Sequence, residues 1–104
     1  MIEDPAKPVI TSNVLKVSAK SNPNSVAGAL AAVLRERPSV ELQAVGAGAI
    51  NQAVKAVAIA RSYLAGQMEA ICVPSFIDVQ IDGNERTGIS LLIERRLIEG
   101  DAQR

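Results

Sequence analysis

The chain has 104 residues, with 11 lysines and arginines against 11 aspartates and glutamates, and no histidine. That length holds one domain with a modest core, which buries roughly 60–70% of the surface the unfolded chain exposes. The missing histidine excludes imidazole triads, imidazole general bases and His-containing zinc sites, and the single Cys72 permits neither an intrachain disulfide nor a thiolate cluster.

The first stretch, MIEDPAKPVI, is acidic and broken by Pro5 and Pro8, unlike a signal peptide. Residues 1–12 read as a tail, extended near Val9 and Ile10. Residues 14–18 (VLKVS) alternate as a short first strand. Asn22 then caps a helix with Pro23 at its first position, and Val26, Leu30, Val33 and Leu34 repeat at helical spacing. Ala27, Gly28 and Ala31 leave room for a close neighbour, and Pro38 ends the helix near Arg37. Residues 40–45 (VELQAV) alternate as a second strand. Gly46-Ala47-Gly48 turns the chain into a second helix, with Ile50, Ala53, Val54, Val57 and Leu64 on one face and Ala56, Ile59 and Tyr63 on a second strip. Gly66 stops it.

Residues 71–81 alternate as a long third strand, in which Pro74 predicts an interruption or an edge position. Residues 83–88 read as a hairpin loop, followed by a fourth strand of Ile89, Leu91 and Ile93 that ends near Arg95. Residues 98–104 read as a second tail, leaving a domain over 13–97. The order β-α-β-α-β-β predicts an α/β fold of the α+β two-layer kind, with two helices packed on one face of a four-stranded mixed sheet. The open sheet face, or the second strip of the second helix, then needs a partner, which points to a dimer or larger homo-oligomer.

Three segments carry a resemblance: LKVSAKSNPNSVAGALAAVLRE (residues 15–36), ELQAVGAGAINQAVKAVAIARSYL (41–64) and FIDVQIDGNERTGISLLIE (76–94). Together they closely resemble the stage V sporulation protein S family, small bacterial cytosolic proteins implicated in sporulation and septation. That family is similar in fold to Alba, a small chromatin and RNA-binding protein that also runs β-α-β-α-β-β. The Alba resemblance implies dimerisation and a nucleic-acid grip by three segments: the first strand–helix loop, the start of the second helix, and the last hairpin. Here these are residues 19–24, 46–55 and 82–88. Lys20 falls near the basic loop position and Arg86 in the hairpin. Where Alba has arginines at the second-helix start, this chain has Gly46, Gly48 and Gln52, and its hairpin is shorter and carries Asp82 and Glu85.

The residues suggest a related site on their own. Gly46 and Gly48 at a strand-to-helix junction allow close backbone approach, and a helix start presents N–H groups and a positive dipole end to a phosphate. The plainer reading of these glycines is a tight turn with close helix packing. Asn51, Gln52 and Lys55 lie on the next turns and Asn24 in the loop before the first helix. If the first two strands are parallel, both loops emerge at one sheet edge, and two helix N-termini with Lys20 and Lys55 form one anion-friendly patch. Arg95-Arg96 reads as a solvated end and Cys72 as a small core hydrophobe.

The expected protein is a non-enzymatic nucleic-acid-binding or regulatory protein of the cytoplasm, with no metal, cofactor or membrane partner. Its contacts are Lys20, Asn24, Gly46, Gly48, Asn51, Gln52, Lys55 and Arg86. Zero net charge and one Phe, one Tyr and no Trp for base stacking make that binding to DNA or RNA weak and non-specific. Two alternatives are a protein–protein regulatory adaptor and a module that takes a small phosphorylated ligand at Gly46–Gly48.

Overall fold

The computed structural model describes residues 9–11 and 13–97. Its elements are β1 (Val9–Thr11), β2 (Val14–Val17), α1 (Pro23–Glu36), β3 (Ser39–Ala44), α2 (Ala47–Tyr63), β4 (Met68–Ile81) and β5 (Asn84–Leu97). The four longer strands form the expected mixed sheet, in the order β2-β3-β5-β4. β2 and β3 are parallel, and β5 is antiparallel to both β3 and β4. The stretch expected to be extended near Val9 is β1, a three-residue strand antiparallel to β2 at the sheet's edge. The rest of the two expected tails, residues 1–8, 12 and 98–104, lies outside the described residues.

Local signals set the helix ends. The Asn22 side chain accepts hydrogen bonds from the backbone N–H of Asn24 (2.8 Å) and of Ser25 (3.3 Å), and Pro23 sits at the first helical position of α1. α2 begins after Gly46, whose φ of 92° favours glycine, and no side chain caps it. Gly66, at φ 85°, turns the chain after α2.

The core lies between the helices and one sheet face. Leu15, Leu42 and Leu91 form a buried row across β2, β3 and β5, and Val40 pairs with Ile93 beside it. Small side chains of the helices crowd this core beside Val26, Leu30 and Leu34: Ala27, Ala31, Ala53, Ala56 and Ala60 are almost completely buried. Three expectations are corrected here. The inward face of α2 is Ala49, Ala53, Ala56, Val57 and Ala60, while Val54 and Tyr63 are exposed. Both apolar strips of that helix contain valine or alanine at helical spacing, so only the docking angle on the sheet decides which is covered. Gly28 faces open space instead of a neighbouring element. Cys72 lies on β4 beyond the cover of the helices and is exposed, although partial desolvation still pushes its thiol pKa up.

The hairpin also differs from expectation. β4 and β5 pair without a bulge from Met68↔Leu97 to Ile81↔Asn84, so residues 84–88 are strand and not loop. The turn is only Asp82-Gly83, at φ 52° and 79°, the two positive values of a type I′ connection whose twist matches the flanking strands. Pairing therefore continues to the turn itself. Pro74 sits within β4, an edge strand of the sheet, where its missing N–H breaks no ladder bond.

Arg95 is half-buried and not a solvated end. Its Nη1 donates to the Leu34 carbonyl in the last turn of α1 (2.9 Å), and its backbone N–H donates to the Pro38 carbonyl (3.0 Å). The guanidinium thus satisfies a helix-end carbonyl and meets the negative end of the dipole. Arg95→Ala is expected to lower unfolding free energy by about 1–2 kcal/mol in urea denaturation. Arg96→Ala should cost far less, because its pair with Glu69 (2.8 Å) lies on the surface.

Candidate nucleic-acid interface

The parallel pairing of β2 with β3 brings two candidate segments to one end of the molecule, and the antiparallel pairing of β5 with β3 directs the hairpin to the same end. The loop after β2 and the start of α2 are in close contact: a Cβ on Gly48 would lie 3.0 Å from the Ala19 Cβ. Gln52 Nε2 donates to the Ser21 carbonyl at 2.8 Å, tying α2 to the same loop. The buried Ser21 Oγ in turn accepts from the Ser18 backbone N–H (2.9 Å). The hairpin closes on this end as well. A Cβ on Gly88 would meet the Ala44 carbonyl oxygen at 2.8 Å and Val45 Cγ2 at 2.9 Å, so only glycine lets β5 cross there.

The candidate residues are thereby sorted. Lys20, Asn24, Gly46, Gly48, Asn51, Lys55 and Arg86 are exposed. Gln52 is half-buried, and one of its amide N–H groups is committed to the loop, which makes it a brace for the site. The backbone N–H of Asn24 is held by Asn22, so the start of α1 is already capped. Of the two helix starts, the one with no side-chain cap is that of α2. Lys55 follows Asn51 and Gln52 along one stripe of α2, about two turns in from the helix start.

The cations divide by role. Arg35 donates to the Tyr63 carbonyl at the end of α2 (3.3 Å) and to Gln67 (3.4 Å), and Arg37 bonds to Asn13. Arg61 and Arg96 both pair with Glu69, and Arg95 caps α1. The Arg96 and then the Arg61 guanidinium hold the Glu69 carboxyl below its ordinary range. All these arginines brace the end of the fold where the helices finish. Lys16, Lys20, Lys55 and Arg86 make no ion pair or side-chain hydrogen bond among the described residues. They lie on or next to the segments at the opposite end. Lys16 was missed by the sequence reading, although the alternation of VLKV already places it opposite the buried Leu15 and Val17. Asp82 and Glu85 place two carboxylates at the hairpin turn, close in the chain to Arg86.

Among the described residues, no group of three or more His, Cys, Asp or Glu could hold a metal ion. No helix there is long and apolar enough to cross a membrane. The fold and this end of it define a small two-layer α+β protein in which four cations without an ion pair or side-chain hydrogen bond among the described residues lie on or next to the segments where β2 and β3 end. A family model, stage V sporulation protein S, matches residues 13–96. The chain belongs to the stage V sporulation protein S family, and that membership supports a regulatory protein of sporulation.

Proposed function

We propose that the chain is a non-enzymatic regulatory protein that binds nucleic acid weakly through the phosphate backbone. The observation that carries this reading is the division of the cations: the arginines at one end are consumed by the fold, and the side chains of Lys16, Lys20, Lys55 and Arg86 engage no other side chain among the described residues. Surface cations with no ion pair or side-chain hydrogen bond among the described residues suit phosphate oxygens, and Lys20 sits in the loop packed against the uncapped start of α2. Asn24 and Asn51 offer further polar contacts, and Gly46 and Gly48 let a backbone approach closely. Few cations mean few contacts, so affinity is low and sequence preference slight.

The test is fluorescence anisotropy of labelled duplex DNA, single-stranded DNA and RNA across salt concentrations. About three phosphate contacts give a slope of roughly −2.7 in log K against log salt on B-DNA. No binding at low salt by the folded protein refutes the reading and favours the protein–protein adaptor.

The reading includes self-association. Phe76 is 80% exposed and Val73 48% exposed on β4, an edge strand whose outer backbone edge pairs with no strand among the described residues. A second copy that covers this strand removes both liabilities. Phe76→Asp is expected to reduce an assembly to the mass of the 10.9 kDa chain in sedimentation equilibrium, with an unchanged circular dichroism spectrum.

A further inference from the structure

At the same end, Val79, Gln80 and Ile81 of the hairpin arm border the ends of β2 and β3 on the sheet face that carries Lys16 and Gln43, away from the helices. The crook between the arm and the ends of β2 and β3 is a depression of about 280 Å³. Lys16, Gln43 and Val45 line one side and Val79, Gln80 and Ile81 the other, with the loop residue Ala19 at its edge. We propose that this crook takes one unpaired nucleobase, with its phosphate at Lys16, so that the protein prefers single-stranded over duplex nucleic acid. The inference rests on the nucleic-acid reading above and names its substrate class.

Three features of the crook select that ligand. Its volume falls just below the range for small-molecule sites, about 300–1,000 Å³, which suits one ring system and not an elongated chain. Val45, Val79 and Ile81 supply apolar surface on both sides for the faces of a planar ring. Gln43 supplies an amide for its polar edge, the kind of group used to read unstacked bases. Gln43 is already oriented: its Nε2 donates to Glu41 Oε2 (3.1 Å), which also accepts from the buried Ser90 Oγ (2.7 Å). That leaves the Gln43 carbonyl oxygen as the acceptor for a base N–H. An apolar side chain from a second copy would instead desolvate the Gln43 amide and the Lys16 ammonium without replacing their hydrogen bonds. A paired base is excluded because its edge is occupied and its faces are stacked. Lys16 abuts the loop that holds Lys20, so a strand whose base enters the crook continues onto the patch.

The shared ligand chemistry is a nucleotide, from a single strand or free in solution, and the experiment separates the two. The full chain is titrated with a labelled single-stranded oligonucleotide, its duplex, and nucleoside monophosphates, the last followed by amide NMR. A Val79→Ser/Ile81→Ser variant, altered only on the hairpin arm away from the core, runs alongside. The expected result is single-strand binding about tenfold tighter than duplex, with that preference lost in the variant and duplex affinity unchanged. Equal affinity for both forms, or a preference that survives the variant, overturns the pocket and leaves the phosphate patch standing. If no polymer binds, the phosphate patch fails. Monophosphate-induced shifts at Val45 and residues 79–81 then keep the crook as a nucleotide site, and their absence overturns it.

Discussion

Replacing Leu42 by alanine lowers the free energy of unfolding by about 2–5 kcal/mol. Leu42 is completely buried on β3, between its register partners Leu15 on β2 and Leu91 on β5. Truncation removes buried methyl groups and leaves a cavity, and the surrounding strands are held by ladder hydrogen bonds that limit collapse. A chain of this size has a total stability of about 5–15 kcal/mol, so the loss is a large fraction of it. The melting temperature should fall by about 10–20 °C. Leu92→Ala is the control. Leu92 pairs with Glu41 one position along the same ladder, points to the opposite face and is 37% exposed. Its truncation should cost less than half as much. Equal losses for the two variants in chemical denaturation would show that the assigned strand register is wrong.

The Lys20→Ala/Lys55→Ala variant loses nucleic-acid binding while keeping its fold. Both side chains are exposed and make no ion pair or side-chain hydrogen bond among the described residues, so removing them disturbs no structural contact. Two charge-assisted phosphate contacts at about 1 kcal/mol each give roughly a thirtyfold rise in Kd at low salt. The salt slope on duplex DNA should become shallower by about 1.8, the share of two released counterions. An Arg35→Ala/Arg61→Ala variant removes the same charge from the far end, where these arginines engage Tyr63, Gln67 and Glu69. It should change stability and leave the salt slope intact. Equal loss of binding in both variants would mean that net charge, not this end of the molecule, governs association.

Much of the fold was legible in the chain because local chemistry dictates it. Asn22-Pro23 is a helix start in any context, and it is one here. Asp82-Gly83 marks a turn wherever two strands flank it, yet the length of the pairing was misread. The polar run after the turn resembles a loop, and a type I′ connection extends the ladder into it. The candidate segments were legible too, since a parallel pair of strands sends both following loops to the same end. The crook was not, although Lys16, Gln43 and Val79 are each marked as outward-facing by alternation. Their meeting depends on β5 crossing against Ala44 and Val45, a contact between residues distant in sequence.

Periodicity, caps and turn residues are properties of a few neighbouring residues, and they determined the element order and the two-layer class, while composition alone excluded imidazole chemistry and an intrachain disulfide. The tertiary structure decided which of two similar strips of α2 is buried, which cations the fold consumes, and where the hairpin bends. Arg95 and Lys55 are equally exposed-looking cations in the sequence. Only the packing of α1 against the end of β5 turns the first into a helix cap, and only the lack of such a neighbour leaves the second for solvent or a ligand. A side chain's role follows from which groups lie within hydrogen-bonding reach, and those groups come from elements that the chain brings together only on folding.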